Sequence, residues 1–541
     1  MGCPPAGFLF VGPEPFHQSR IPYFCRNAES VGLYKKLFQQ TAIYGMAAVL
    51  PKIFSFLLVP LYTDALHNKG DYGRVSVLFS WMIFFNVLLA YGMETAFFRF
   101  YNREKDRQQV VETAMVSLVW TSFAFLFTAL LFREQLAVWA GVDVEYVTYL
   151  VWILLLDALV IIPFSKLRAQ QRPIRYAVIK VGNVLVNLVL NVFFLIYLPK
   201  LAAHDPGGFF DSIYYSNFQV GYIIISNVVA SLLTLLAFAP DYLRMRWHFD
   251  WALWKKMLQY SLPVMVAGVA FAINEQFDKI LLQKLLPLSP EKAEEQVGIY
   301  SACYKIGLFM VLFRTAYTLG IEPFFFSHAD KENAANTYAT ITRYFVIFGS
   351  FIQLAVIVFA DVLKQIMLRD DVYWEGMKVV PLIIFANFFL GIYTNLSVWY
   401  KLIDKTYIGA LISLVGAVVT LLLNFWLIPL DGPFGGYYGS AIATIGAYGS
   451  MMLISYLMGQ RYYPVPYDKK RIGGYLTLSI VFSVVYFYRF RENYLVGGAL
   501  LLAFLGVIFI AEKDAIRQVL QRREKPQSPV SGGPDNENQL V

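Results

Sequence analysis

Runs of about twenty mostly apolar residues, each closed off by a short polar stretch, recur from one end of this chain to the other. At about 1.5 Å rise per residue, each run is long enough to cross a hydrocarbon core of about 30 Å as an α-helix. The pattern places spans near 37–62, 72–98, 110–132, 146–164, 174–198, 216–239, 257–286, 298–319, 338–360, 376–399, 406–428, 437–458, 472–488 and 493–511. Composition agrees: 58% of residues are hydrophobic and 15% charged, against roughly 25% charged in a soluble domain. The expected fold is all-α, a polytopic membrane protein of about fourteen helices. The loops are short, so no ATPase, glycosyltransferase domain or external catalytic lobe fits between the spans.

Charge sets the orientation. Lys35 and Lys36 precede the first span, and Arg99, Arg103, Lys105 and Arg107 follow the second. Lys166, Arg168, Arg172 and Arg175 follow the fourth, Arg244, Arg246, Lys255 and Lys256 the sixth, and Lys469, Lys470 and Arg471 the twelfth. The intervening loops are poorer in Lys and Arg, as around Asp143 and Glu145 or around Glu291 to Glu295, while the loop after the eighth span and the pair Arg489 and Arg491 fit less well. The bias puts both termini in the cytoplasm. It also accounts for the net charge of +8 without nucleic acid. Cys3, Cys25 and Cys303 have no metal-ligand spacing, and neither a disulfide framework nor a zinc site follows. Residues 1–30 lack a signal-peptide pattern and read as a tail, with the working protein expected to begin near Val31. The chain then divides into 31–250, 251–460, two additional spans in 461–512, and a disordered cytoplasmic tail over 513–541.

An internal repeat underlies that division. The segment from Arg168 to Asn191 (RAQQRPIRYAVIKVGNVLVNLVLN) lies without a gap over Lys401 to Asn424 (KLIDKTYIGALISLVGAVVTLLLN), and YGRVS at Tyr72 resembles VGIYS at Val297. Spans one to six therefore correspond to seven to twelve. An even offset keeps the two halves parallel in topology, as in transporters with a pseudo-two-fold axis along the membrane normal.

Charges deep in a span cost at least about 2.5–3.5 kcal/mol on insertion scales, so each needs a partner or water. In the seventh span Asn274, Glu275, Asp278, Lys279 and Gln283 cover roughly half the circumference at about 100° per residue. That face either lines an aqueous cavity or neutralises itself through Lys279 with Glu275 or Asp278. Lys52, mid-way along the first span, is either a functional cation or one neutralised by a carboxylate such as Glu94. In the eighth span Lys305 shares a face with Ser301. On a straight helix Arg314 points the other way, free to snorkel toward the headgroups. The stripe Lys180, Asn183, Asn187, Asn191 and its repeat partners Ser413, Gly416, Thr420, Asn424 favour polar helix packing over ligand contact. No P-loop, HExxH or GxSxG is present, and the five histidines lack ligand spacing. No enzyme, cofactor or metal reading follows.

Three stretches carry a resemblance: LYKKLFQQTAIYGMAAVLPKIFSFLLVPLYTDAL with YGR and YGMETAFFRFYN, then YSLPVMVAGVAFAINEQFDKILL, then NLSVWYKLIDKTYIGALISLVGAVVTLLLNFWLIP with GGYYGSAIAT. They resemble bacterial oligosaccharide flippases, the O-antigen type, of the polysaccharide-biosynthesis branch of the multidrug/oligosaccharidyl-lipid/polysaccharide exporter superfamily. The resemblance implies two six-helix bundles enclosing a cavity that opens alternately to either side, plus two extra helices, in the bacterial cytoplasmic (inner) membrane. It implies an undecaprenyl-pyrophosphate-linked oligosaccharide as cargo for surface polysaccharide such as lipopolysaccharide, while the depth of Glu275 and Asp278 in the seventh span suits them to bind a coupling proton or sodium ion. Polysaccharide polymerase and glycosyltransferases are the implied partners. A pyrophosphate needs compensating charge at low dielectric. Lys52, Lys279, Lys305 and Asn274 are thus the candidate substrate-binding residues, and Glu275, Asp278 and Glu94 the candidate ion-coupling residues. Two alternatives stand beside this: an ion-coupled drug or cation antiporter of the same superfamily, and a membrane-embedded polysaccharide polymerase or ligase, which would carry a sizeable external loop.

Overall fold

Lipid offers no partner to a free backbone N–H, so a bilayer-length apolar segment closes its hydrogen bonds within itself. In a computed structural model of the chain, every run identified above is helical. The structure describes residues 23–66, 68–327, 333–403 and 405–524, with side chains over 43–66, 68–321, 325, 333–403 and 405–513. No strand occurs among the described residues. Fourteen helices there are long and apolar enough to cross a membrane: Ile43–Ala65, Lys69–Arg103, Arg107–Leu131, Val144–Ala169, Pro173–His204, Gln219–Leu243, Trp251–Leu285, Pro290–Ile321, Ala334–Val358, Asp371–Leu402, Tyr407–Leu427, Gly436–Tyr462, Lys469–Arg489 and Tyr494–Lys513.

Helices run past the limits that hydropathy sets, because a helix need not stop where its apolar stretch does. Pro290 opens the eighth helix, so Glu291, Glu294 and Glu295 lie in its first turns rather than in a loop. The last helix continues to Glu524, beyond the boundary at 513. The first begins at Tyr23, ahead of Val31. Of the two tails expected from the sequence, 1–22 and 525–541 lie outside the described residues.

The packing repeats itself. The first span packs on the fifth, the fifth on the sixth, the sixth on the fourth, and the fourth on the second and third. Six spans later, the seventh packs on the eleventh, the eleventh on the twelfth, the twelfth on the tenth, and the tenth on the eighth and ninth. These are two six-helix bundles. Matched residues make matched bonds: Asn191 Nδ2 donates to the Asn187 carbonyl at 2.8 Å, and Asn424 Nδ2 to the Thr420 carbonyl at 2.7 Å. The thirteenth and fourteenth spans pack on the ninth and on each other. The buried Glu512 joins them, taking a hydrogen bond from Tyr475 at 2.9 Å and lying 3.6 Å from Arg343 and 3.3 Å from Arg471.

The halves meet where the second span crosses the eighth. There Gly73 and Gly298, the two glycines that the repeat aligns, face each other. A Cβ on Gly73 would collide with the Glu294 carbonyl, and one on Gly298 with the Lys69 carbonyl. The crossing is near-symmetric, and only hydrogen at both positions lets the backbones approach so closely. Arg74 Nε adds a 2.7 Å ion pair to Glu294 across the same contact. This crossing lies on the face opposite the one where the first span begins and the last span ends, here called the terminus-bearing face. So do Arg491 and Asp361, which explains the cation that fitted the charge bias poorly. Arg491 holds the Asp361 carboxylate with two bonds of 2.9 and 2.7 Å, and Lys364 adds a third contact at 2.8 Å.

Burial alone would raise the Asp361 carboxyl, but the hydrogen bonds and charges of Arg491 and Lys364 outweigh it and hold it below the usual carboxylate range. A depressed carboxyl contributes stability above its unfolded pKa of about 3.9 and loses it as pH falls through the folded value. The Asp361→Asn protein should therefore melt below wild type at pH 7 in detergent. Acidification below about pH 4 should then narrow that gap; a gap that stays constant with pH would contradict the linkage.

Candidate functional site: a charged cavity between the halves

The seventh span divides its polar half-circumference into two stripes, each repeating at four residues. Asn274 and Asp278 form one, turned into packing. Asn274 Nδ2 donates to the Ser413 carbonyl at 3.1 Å, and its Oδ1 accepts from Thr420 at 2.8 Å. It thereby ties the seventh span to the eleventh rather than facing a ligand. Asp278 is almost fully buried. It accepts from its own neighbour's backbone Lys279 N at 2.9 Å and from the Tyr300 hydroxyl at 2.8 Å.

Glu275 and Lys279 form the other stripe, and with Gln276 they line a cavity of about 360 Å³ between the bundles. The opposite wall carries Ser55, Tyr62, Ser76 and Ser80 of the first half, and Ser301 and Lys305 come from the eighth span. Lys279 Nζ sits 2.9 Å from Asp278 and 4.4 Å above the Tyr304 ring. Both readings of this face from sequence are thus present at once: one carboxylate neutralises Lys279, while the stripe borders a cavity.

Lys305 lies about halfway along its span and makes no hydrogen bond or ion pair among the described residues. Glu275 Oε1 is buried without a hydrogen bond, its nearest ionic partner being Arg314 at 4.0 Å. Lys52 is outside the lining; its Nζ donates to Thr315 Oγ1 at 2.8 Å, binding the first span to the eighth. Glu94 does not reach Lys52, for it pairs with Arg168 at 2.7 Å near the terminus-bearing face.

Arg314 is the residue that sequence reasoning sent the wrong way. The eighth span changes to a 3₁₀ turn over Lys305–Gly307. Three residues per turn instead of 3.6 advance each residue by about 120° rather than 100°, so three such residues rotate everything beyond by roughly 60°. Arg314, opposed to Lys305 on a straight helix, is thereby brought within 4.0 Å of Glu275. The only sequence signal was Gly307, whose site admits no Cβ because the Ile383 side chain presses against it.

A helical membrane protein built as two matched halves around a charged cavity at bilayer depth has the architecture of a transporter or flippase. Residues 37–326 match the sequence model of the family described as "Polysaccharide biosynthesis protein", and the chain belongs to that family. No curated protein matches it. Among solved structures, the fold is similar to the lipid II flippase MurJ in an inward closed conformation, with TM-score 0.62 and 14% identity over 88% of this chain and 100% of that one. It is similar too to an inward-facing multidrug resistance MATE family transporter of the MOP superfamily, with TM-score 0.58 and 13% identity over 80% and 95%. A mutant of the Vibrio cholerae MATE transporter VcmN gives TM-score 0.55 and 16% identity over 80% and 98%. At these identities the likeness is one of fold.

The Asp278–Lys279 pair supplies a direct test of the packed stripe. Removing one partner of a buried ion pair costs about 3–5 kcal/mol, because the other is left uncompensated. Lys279→Met should lower the melting temperature sharply. Adding Asp278→Asn should recover a large part of the loss, as read by fluorescence-detected thermal unfolding.

Proposed function

We propose that this protein is a flippase that carries a lipid-linked oligosaccharide, of the undecaprenyl-pyrophosphate kind, across a bacterial cytoplasmic membrane by alternating access. The observation that carries the reading is the charge at bilayer depth. Lys279 and Lys305 line the inter-bundle cavity, Lys52 and Arg314 lie beside it, and among the described residues Glu275 and Asp278 oppose them. Two positive charges are in excess there, and Lys305 has no hydrogen-bond or ionic partner among the described residues. An uncompensated cation at such depth is costly, whereas an anionic group entering the cavity relieves that cost. A diphosphate suits this balance, with the sugars in the polar cavity and the isoprenoid tail left in the bilayer. A carrier of organic cations would need the opposite sign. Family membership favours a glycan as the headgroup.

Within this reading Lys305 and Lys279 receive the diphosphate, and Lys52 and Arg314 complete the positive field from the first and eighth spans. Both termini lie in the cytoplasm, in accord with the Lys and Arg on that face. Of the three carboxylates considered for ion coupling, Asp278 and Glu94 are occupied by Lys279 and Arg168. Glu275 retains an oxygen with no hydrogen bond among the described residues, and the coupling is assigned to it. Glycosyltransferases would supply the cargo and a polysaccharide polymerase would consume it.

Deletion in the native host, followed by mass analysis of lipid extracts, tests the function. Lipid-linked glycans should accumulate, and a wild-type copy should clear them. A Lys305→Ala copy should insert at normal level, since it strands no partner, yet leave the accumulation in place. An intact surface glycan with no accumulated intermediate would refute the assignment. For coupling, Glu275→Gln should make glycan translocation into vesicles insensitive to collapse of the proton gradient. Persistent sensitivity would move the coupling elsewhere.

A further inference from the structure

On the terminus-bearing face, some cations near the headgroup level have acidic partners. Lys166 and Arg175 share Asp241 at 2.8 and 3.1 Å, and Arg168 takes Glu94. One group does not. Arg99 and Arg103 at the end of the second span converge with Lys256 of the seventh on a pocket of about 410 Å³, walled also by Phe100, Gln259 and Tyr260. None of the three cations makes an ion pair among the described residues, and the one carboxylate in the lining is Glu104.

The neighbouring acids are already engaged. Asp106 caps the third span by accepting from Gln108 N and Gln109 N, and Asp250 caps the seventh by accepting from Leu253 N. Glu112 accepts from the Gln108 side chain. The pocket's shape is fixed from behind. The second span bends at Tyr91 and Gly92, both with positive φ, and Gly92 lies so close to the Ser261 carbonyl that a Cβ would collide with it. Two turns further on, the Arg99 guanidinium stacks 4.2 Å above the Tyr260 ring. Stacking of this kind orients the planar fork and leaves its N–H edge free for an oxyanion.

Three further features indicate a lipid rather than a free anion. The pocket is on the flank of two spans, Phe100 supplies an apolar wall, and Trp251 with Trp254 marks the interface one to two turns away. We propose that the pocket formed by Arg99, Arg103 and Lys256 binds the phosphate headgroup of an anionic phospholipid and that this lipid clasps the two halves together at the terminus-bearing face. Arg99 and Arg103 belong to the first half and Lys256 to the second, so the headgroup is held fully only while these two helix ends stay in contact. A ligand bound more tightly in one arrangement shifts the population toward it. The site therefore favours the conformation with these ends together, independently of what the central cavity carries.

The test uses the purified full-length protein in detergent, with added phosphatidylglycerol or phosphatidylcholine and binding read by native mass spectrometry beside thermal unfolding. Phosphatidylglycerol should bind and raise the melting temperature more than phosphatidylcholine. The double change Arg99→Gln with Lys256→Gln should weaken phosphatidylglycerol binding at least about tenfold, on the scale expected for two basic residues at a lipid surface. Lys255→Gln, next in sequence but outside the pocket, should leave it unchanged. All three positions are exposed, so the helical circular dichroism should persist. Equal stabilisation by the two lipids, or unaltered binding by the double variant, would overturn the proposal. Equal stabilisation by inorganic phosphate would overturn the lipid, and displacement by an equimolar isoprenyl diphosphate would give the pocket to the cargo.

Discussion

An ion in hydrocarbon has no solvent to neutralise it, and this constraint governs how the interior of the chain is arranged. Each charge placed at depth is matched, stacked on an aromatic ring, or left beside a cavity that water or a ligand can enter. Asp278 shows the first outcome, with Lys279 and Tyr300 enclosing it. Lys279 adds the second through Tyr304. Lys305 shows the third. The positive excess is confined to the space between the bundles, and that is the one region whose volume must change if the halves move. Placing it elsewhere would burden a permanently packed core.

The way the halves touch follows from their repetition. Two copies of one packing scheme, related by a six-span offset, bring equivalent positions of the second and eighth helices together near the pseudo-axis. Self-contact of this kind selects residues that tolerate their own image. Glycine meets that demand at 73 and 298 because it removes the atoms that would otherwise keep the backbones apart. The contact is reinforced by Arg74 with Glu294, an ion pair that the repeat does not duplicate, so the closure is symmetric in backbone and asymmetric in charge.

Much of this was legible in the sequence. Hydropathy located every span, and the alignment of the segments ending at Asn191 and Asn424 exposed the repeat whose bonds the structure reproduces. A period of about 100° per residue found the polar half of the seventh span. It could not divide that half, since Asn274 and Glu275 differ by one residue while their surroundings are set by the eleventh span and the cavity. Arg314 escaped because a short overwound turn carries almost no sequence signature. The partners of Glu94 and Glu294 were hidden for another reason: each lies far away in the chain, and only tertiary packing brings it near.

The thirteenth and fourteenth spans are fastened to one side. Their anchors, Glu512 with Arg343 on the terminus-bearing face and Arg491 with Asp361 on the opposite one, all close onto the second bundle. Under the alternating access proposed above, no such bond would have to break, and these helices would travel as ballast on one arm of the machine. The first bundle would be the lighter arm, with six spans against eight. Viscous drag in the membrane should then fall unequally on the two, and the six-span half should make the larger excursion.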